Sequence, residues 1–210
     1  MADIVIFDMD GTLIDSGFDI TQSINHVRRE RYGLTPIEVH SVVDAINAPV
    51  RNLAMIFYET PTYEADARAI FEEHYFEQCI QNVAAYDGIP SLLGELYDRR
   101  IVMGVATNAP TLFAKRMLGH LGIAEYFGKI IGADEVQYPK PHPEMLLRHL
   151  EHHRYNEGTD NAYMIGDNSK DMQAAREAKI KGIFAGWGFG SESGDEPFAF
   201  RPLDILKMIS

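Results

Sequence analysis

The sequence has little cysteine and no long apolar run, and both absences limit what the protein can be. Cys79 is the single cysteine, which excludes an internal disulfide framework and favours a reducing compartment. No apolar run reaches the length of a membrane-spanning helix. No basic segment followed by an apolar one precedes the first predicted strand, so we expect no signal peptide. The sequence therefore predicts a cytoplasmic protein that does not bind membranes.

The sequence also lacks any block of positive charge. It has 31 acidic and 19 basic residues, and its formal net charge is −12. This charge disfavours nucleic acid and anionic membranes as partners. Because the same field repels small anions, a site for one needs local cations or backbone N–H groups. Hydrophobic residues make up 46% of the chain, which is enough for a sizeable core.

Short apolar runs recur along the chain and predict a parallel sheet. The predicted strands are 4–7, 102–105, 129–131, 162–165 and 182–185. Helical patterns separate the later strands, at 91–99, 111–121, 143–153 and 170–180. This alternation is typical of an α/β fold, with a Rossmann-like parallel sheet core and helices on both faces. A short run at 198–200 and a helix after Pro202 close the chain.

Residues 16–82 separate the first two strands and show only helical periodicity. The segment Thr35-Pro36-Ile37-Glu38 is typical of a capping box that starts a helix, and 62–81 is predicted to be a long helix. Apolar stripes predict the other helices, and they consist of Ile20, Ile24 and Val27; Val39, Val42, Val43 and Ile46; and Val50, Leu53, Ala54 and Phe57. We therefore predict a catalytic core of 1–15 and 83–210, with a small four-helix cap insertion at 16–82.

Polar residues follow the predicted strands at the points where the strands end. Ligands of open α/β sheets bind at the carboxyl ends of the strands, so these residues are expected to share one site. The four groups are Asp8 and Asp10 after the first strand; Thr107-Asn108 after the second; Lys140 between Pro139 and Pro141; and Asp167 with Asp171 after the fourth.

In order and spacing, these groups resemble the four motifs of the haloacid-dehalogenase-like hydrolase superfamily. The segment Asp8-Met9-Asp10-Gly11-Thr12-Leu13-Ile14-Asp15-Ser16, with a helical insert directly after it, resembles the phosphoglycolate-phosphatase-like branch. Trp187-Gly188-Phe189-Gly190 extends the resemblance over essentially the whole chain. The resemblance implies a Mg²⁺-dependent phosphatase that hydrolyses a small phosphate monoester, with a phosphoglycolate-like metabolite as the expected substrate.

The resemblance also implies roles for the acidic residues. Asp8 would attack phosphorus and form an aspartyl-phosphate. Asp10 would protonate the leaving alcohol and later activate water as general base. The carboxylates of Asp8 and Asp167, together with the backbone carbonyl of Asp10, would hold Mg²⁺, a hard cation that prefers oxygen ligands.

Phosphate binding is implied for the next two motifs. The Thr107 hydroxyl and the Asn108 backbone N–H would bind phosphoryl oxygens, and Lys140 would place a fixed positive charge beside the phosphate. Asp171 would orient Lys140 or a metal-bound water. In the insert, Ala48-Pro49-Val50-Arg51 resembles a cap segment with the pattern Gly-x-Pro-x-Arg. Arg51 would then contact the substrate when the cap closes; the alternative is an exposed helix arginine.

Other features allow a functional and a structural interpretation. His149, His152 and His153 include an i, i+4 pair that zinc can use, but a polar helix face is the favoured interpretation. The glycine-rich segment 186–194 is interpreted as a flexible loop beside the site rather than as a phosphate cradle. Trp187 either lines the entrance or packs in the core. Relatives usually have glycine at the position of Lys179, where the helix after the fourth motif ends.

Two other functions use the same fold. A sugar-phosphate mutase, which is a transferase, would use the same Asp8 and Asp10, but Thr107-Asn108 is typical of phosphatases. A non-catalytic phosphate-binding regulatory protein is the third possibility, because a fold does not dictate function. The nucleophile, the acid/base, the metal ligands and the phosphate-binding residues are all present, and this favours the hydrolase.

Overall fold

The first strand shows why the core is a parallel sheet. The computed structural model describes residues 3–48, 52–190 and 194–209. In β1, Asp3–Phe7, the last four residues are fully buried. A strand that is apolar on both faces needs a cover on both faces, as parallel sheets have. β1 pairs in parallel with a strand on each side, so it lies in the interior of the sheet.

The elements of the described residues follow the predicted alternation. After β1 come β2 Ile14–Asp15, α1 Gly17–Tyr32, α2 Val39–Asn47, α3 Leu53–Tyr58, α4 Ala65–Gln78, β3 Ala84–Ala85, α5 Ile89–Asp98, β4 Val102–Ala106, α6 Thr111–His120, β5 Lys129–Ile131, α7 Glu144–His152, β6 Asn161–Gly166, α8 Ser169–Glu177, β7 Lys181–Ala185 and β8 Phe198–Ala199. Short 3₁₀ helices span Ala124–Tyr126, Ala133–Glu135 and Pro202–Lys207.

Six of these strands form one sheet in the order β5-β4-β1-β6-β7-β8, and every pairing in it is parallel. β2 and β3 form a separate two-stranded sheet. Each of the five predicted core strands lies within one residue of its predicted ends. The predicted α/β class is therefore confirmed.

Alternate residues of β1 pack on opposite faces of the sheet, as the period of a strand requires. Ile4 and Ile6 belong to a buried cluster with Met145 of α7 and Ala174 of α8. Phe7 makes an edge contact with Phe127, with ring centroids 6.2 Å apart. β1 is therefore covered on both faces, and Asp8, which follows it, is only 9% exposed.

The chain forms two compact units, which are Met1–Asp15 with Ala85–Ser210, and Ser16–Ala84. The second unit ends two residues after the predicted insert, 16–82. Its core is a buried cluster that joins all four of its helices. The members of this cluster are Ile24, Val27, Val42, Ala45, Phe57, Tyr58 and Ala67. Ile24, Val27 and Val42 of this cluster belong to the predicted stripes of α1 and α2. Val50 of the third stripe lies outside the described residues.

The predicted capping box at Thr35–Glu38 is wrong. α2 begins at Val39, and Glu38 precedes it without a side-chain cap. The side chains of α1 hold this segment extended. Asn25 exchanges two hydrogen bonds with the backbone of Ile37, and the Arg28 Nε donates to the Thr35 carbonyl. These bonds satisfy the backbone groups that a helix would otherwise use.

Asp19 joins the two ends of the second unit. Its buried carboxylate accepts hydrogen bonds from the Gln78 side chain and from both the backbone and side chain of Asn82. The bond from the Asn82 backbone draws the chain out of helical geometry after α4. As a result, α4 ends at Gln78 rather than at the predicted residue 81.

α8 ends earlier than predicted, and the reason lies at Lys179. The helix stops at Glu177, and Lys179 follows with φ +57°, in the left-handed region. This is the position at which the resemblance implies glycine. A side chain with Cβ is strained there. At the end of the chain, the predicted helix after Pro202 is a 3₁₀ helix. No helix among the described residues has both the length and the apolar character to span a membrane.

We expect Lys179→Gly to stabilise the protein by roughly 1 kcal/mol, because glycine adopts a positive φ without steric cost. Gln173→Gly is the matched control, since Gln173 is an exposed residue inside α8. It should destabilise the protein by about 1 kcal/mol. Urea denaturation of both variants measures the change in the free energy of unfolding, which should be opposite in sign for the two. Destabilisation by Lys179→Gly would show that the lysine side chain outweighs the strain.

Candidate active site

The sheet register brings three loops to the same edge. Phe7 lies opposite Val105 of β4 and Ile165 of β6. Asp8 follows Phe7 directly, and Thr107 and Asp167 lie two residues after Val105 and Ile165, so all three leave the sheet at the same edge. A hydrogen bond from the Asp8 N–H to the Ile165 carbonyl, 2.8 Å long, holds the first loop against the third. This edge is where open α/β sheets bind ligands.

A buried lysine joins two of the predicted acidic residues. The Lys140 Nζ lies 2.7 Å from Asp8 Oδ1 and 2.6 Å from Asp171 Oδ1. Lys140 is only 4% exposed. Burial alone would lower the pKa of Lys140, but the carboxylates of Asp171 and Asp8 outweigh it and raise the pKa. Lys140 is thus held as a cation beside Asp8.

Asp171 has a structural and an electrostatic task at once. Its Oδ2 accepts the Asn168 backbone N–H in the capping box that begins α8, while its Oδ1 accepts the lysine proton. Burial and the charge of Asp8 raise the pKa of Asp171 to about 7, against the lowering effect of Lys140. The side chain that caps α8 is therefore also the partner of Lys140.

Asp167 is fixed by donors from two distant segments. Its carboxylate accepts the Thr12 hydroxyl at 3.1 Å and the backbone N–H groups of Phe189 and Gly190 at 2.8 and 3.1 Å. Burial and the charge of Asp8 raise the pKa of Asp167 to about 6, although these hydrogen bonds oppose the rise.

The glycine-rich segment therefore packs on the site. A Cβ on Gly190 would lie 1.7 Å from the Asp167 carbonyl oxygen, and one on Gly188 would lie 2.0 Å from the Gly11 carbonyl oxygen. Gly11 itself has φ +83°, and a Cβ there would lie 2.3 Å from the Asp167 carboxylate. The predicted location of 186–194 beside the site is confirmed for its first half, which packs closely on Asp167 and Gly11. Residues 191–193 lie outside the described part.

The charges at this edge of the sheet are unbalanced. Oxygen atoms of Asp8, Asp167 and Asp171 all lie within 4.8 Å of one another, and all three side chains are buried or nearly so. Three carboxylates and the single ammonium of Lys140 leave an excess of two negative charges when all four are ionised. A hard divalent cation with oxygen ligands fits this donor set and its charge. The residues present thus suit a metal ion.

Thr107 and Asn108 lie where the sequence predicts, directly after β4. Thr107 is buried, and its Oγ1 accepts the Ala109 N–H at 3.1 Å, which leaves the hydroxyl proton available to a phosphate oxygen. The Asn108 side chain has a task that the sequence did not indicate. Its amide bonds to the backbone N–H and C=O of Lys140, at 3.0 and 2.9 Å.

Asp10 is half-buried at the turn after β1, two residues beyond Asp8. The Gly11 N–H closes this turn by donating to the Ile14 carbonyl at 2.9 Å. Asp171, for which the resemblance implies an orienting role, belongs to the group of metal-compatible carboxylates together with Asp8 and Asp167. The Asp10 side chain is not expected in this group, because the ligand that the resemblance implies at Asp10 is its backbone carbonyl.

Tyr86 is a site residue that no sequence signal indicated. Burial raises its pKa, and the carboxylates of Asp15, Asp167 and Asp10 raise it further. Its ring makes an edge contact with Phe189, with centroids 6.4 Å apart. The role of Thr12 was also missed. Trp187, for which the sequence left two interpretations, donates from Nε1 to the Thr12 carbonyl at 2.9 Å.

The remaining predicted residues lie away from this edge or outside the described part. Arg51 falls outside the described residues, so its cap role stays a prediction. His149 is fully buried, with Nε2 2.9 Å from the Val105 carbonyl, and burial lowers its pKa to about 4. The polar helix face predicted for α7 is therefore wrong at His149. Gly104 makes the room, because a Cβ there would lie 2.5 Å from the imidazole.

We expect Gly190→Ala to destabilise the protein by roughly 1–3 kcal/mol, because the new methyl group overlaps the Asp167 backbone. Gly119→Ala in α6 is the control, since nothing lies within 4 Å of the added Cβ. It should be neutral or stabilising by up to about 1 kcal/mol. Urea midpoints measure both. Equal effects of the two substitutions would contradict the tight approach of Gly190 to Asp167.

Comparison with known proteins agrees with this geometry. The chain is 32% identical to the N-acetylmuramic acid 6-phosphate phosphatase of Pseudomonas aeruginosa, over 88% of this chain and 82% of the relative. It is 29% identical to the phosphoglycolate phosphatase of Aquifex aeolicus, over 98% of this chain and 96% of the relative. A haloacid dehalogenase-like family hydrolase from Streptococcus pneumoniae superposes with a TM-score of 0.79 at 26% identity, covering 99% of this chain and 98% of that one. The family model described as haloacid dehalogenase-like hydrolase matches residues 5–185, so the chain belongs to this family.

Proposed function

We propose that this protein is a Mg²⁺-dependent phosphatase that hydrolyses a small phosphate monoester through an aspartyl-phosphate on Asp8. The observation that carries the proposal is the buried bridge from Asp8 through Lys140 to Asp171, with Asp167 beside it. The bridge supports the proposal, because it joins the proposed nucleophile to a buried cation beside metal-compatible carboxylates at one edge of the sheet. The names of the related phosphatases support the same reaction class.

Asp8 is the proposed nucleophile. One of its carboxylate oxygens bonds to phosphorus while the bond from phosphorus to the ester oxygen breaks, and Asp10 gives the leaving alcohol a proton. Water then attacks the same phosphorus, Asp10 takes its proton, and inorganic phosphate leaves with the Asp8 carboxylate restored. Lys140, Thr107 and the Asn108 N–H bind the phosphoryl oxygens during both steps.

Mg²⁺ would be held by the carboxylates of Asp8 and Asp167 and by the Asp10 backbone carbonyl. When bound, it neutralises negative charge at the phosphoryl group. Asp171 is the weaker candidate for a ligand, because Lys140 and the Asn168 N–H occupy its two oxygens. We therefore propose that Asp171 holds Lys140 in place.

The substrate is proposed to be a small phosphorylated metabolite. Phosphoglycolate is the first candidate and N-acetylmuramic acid 6-phosphate the second, on the basis of the related enzymes. The helical unit Ser16–Ala84 is the proposed cap that selects among substrates. A cytoplasmic location, supported by the single cysteine, is part of the proposal.

A panel of phosphate esters with Mg²⁺ tests the substrate class. We expect hydrolysis of 2-phosphoglycolate or of N-acetylmuramic acid 6-phosphate, with a higher kcat/KM than for an aryl phosphate. Absence of phosphate release from every ester would overturn the proposed function. Conversion of a sugar phosphate to its isomer without release of phosphate would identify a mutase instead.

We expect Asp8→Asn to abolish phosphatase activity, because the amide neither attacks phosphorus nor carries the charge that binds Mg²⁺. Asp3→Asn is the matched control, since it makes the same change at the opposite end of β1. It should retain activity within about threefold, because Asp3 has no proposed catalytic role. Loss of a catalytic carboxylate, by contrast, typically lowers the rate by about 10²–10⁴-fold. Turnover of the purified variants is the measurement. Near wild-type turnover by Asp8→Asn would remove Asp8 from the nucleophile role.

Asp167→Asn should weaken Mg²⁺ binding, because it replaces a charged oxygen ligand by a neutral one of the same shape. Isothermal titration calorimetry without substrate measures this affinity. Asp204→Asn in the last 3₁₀ helix serves as the control and should bind Mg²⁺ like the wild type. Unchanged affinity in Asp167→Asn would assign the metal to other ligands.

A further inference from the structure

Lys140 is held at both of its ends. Asp8 and Asp171 bind its ammonium group, and the Asn108 side chain binds its backbone. The Asn108 Oδ1 accepts the Lys140 N–H at 3.0 Å, and the Asn108 Nδ2 donates to the Lys140 carbonyl at 2.9 Å. The planar amide thus satisfies both backbone groups of one residue.

The neighbours of Lys140 explain why a side chain, rather than a neighbouring strand, binds its backbone groups. Pro139 and Pro141 have no backbone N–H, so this segment cannot pair with a strand in the ordinary way. The amide of Asn108 presents one donor and one acceptor side by side, as a neighbouring strand would. It substitutes for a sheet partner at a single residue.

We propose that Asn108 is a positioning residue whose side chain sets the location of Lys140 in the active site. This rests on the proposed phosphatase function. Asn108 adjoins Thr107, so the amide couples the loop after β4 to the lysine loop, and the two phosphate-binding elements move together. Asn108 then acts on the phosphate directly through its backbone N–H and indirectly through Lys140.

Asn108→Ala keeps the backbone N–H but removes both bonds to Lys140. We expect a loss of about 10²-fold in kcat/KM, the size of effect that a misplacement of about 1 Å produces. Asn161→Ala is the matched control. Its side chain also makes two hydrogen bonds, to Asp3 and Lys181, in the same unit. It should retain activity within about threefold even where its urea midpoint falls as far as that of Asn108→Ala.

A double-mutant cycle separates positioning from other effects. In a Lys140→Met background, Asn108→Ala should lower kcat/KM by less than about threefold, because the lysine that Asn108 positions is already absent. Independent, multiplicative losses would overturn the proposal.

Acetylation of Lys140 gives a readout that needs no activity. Lys140 is 4% exposed, so acetic anhydride should label it slowly in the wild type. Mass spectrometry should show at least tenfold faster labelling in Asn108→Ala and no change in Asn161→Ala. Unchanged labelling in Asn108→Ala would overturn the positioning role. If the wild type hydrolyses no ester at all, the proposed function fails, while the labelling result still decides whether Asn108 holds Lys140.

Discussion

The site depends on an ammonium group buried between two carboxylates. An unpaired charge in the interior costs several kcal/mol, and removing one partner of a buried pair typically destabilises a protein by about 3–5 kcal/mol. Lys140 therefore requires Asp8 and Asp171 to be in place, and they require Lys140. This mutual dependence fixes three loops from three separate parts of the chain. The geometry of the candidate site is in this sense a product of folding.

The same arrangement explains how an acidic protein attracts a phosphate ester. The whole chain carries a formal net charge of −12, yet Lys140 stands at the carboxyl edge of the sheet beside Asp8. The excess negative charge of the three aspartates suits a divalent cation, and a bound cation would in turn favour an anion. Local charges, rather than the field of the whole protein, then decide what binds.

Much of the core was predictable because its signals are local. Runs such as 4–7 are apolar on both faces, a pattern that is typical of strands covered on both faces in a parallel sheet. The polar residues after them were predictable because strand ends converge. The support of Asp167 was not, since Thr12 lies 155 residues away and Phe189 binds through its backbone, which no side-chain pattern records. The predicted start of α2 was wrong for a related reason. Asn25 and Arg28 of another helix form hydrogen bonds with the backbone of the segment that precedes α2. Local sequence preferences do not include partners that arrive through tertiary packing.

The bonds between Asp19 and Asn82 have a consequence for how the two units share one chain. They bring the ends of the helical unit together, so its 69 residues from Ser16 to Ala84 interrupt the core as a closed loop. The entropic cost of closing a loop grows only slowly with length. When contacts within the inserted unit hold its ends together, folding of the sheet adds little to this cost. For the core, the gap between β1 and β4 is then effectively short. Insertions and deletions within the helical unit therefore change little in the folding of the sheet, and the sequence of this unit is free to vary while the sheet stays constant.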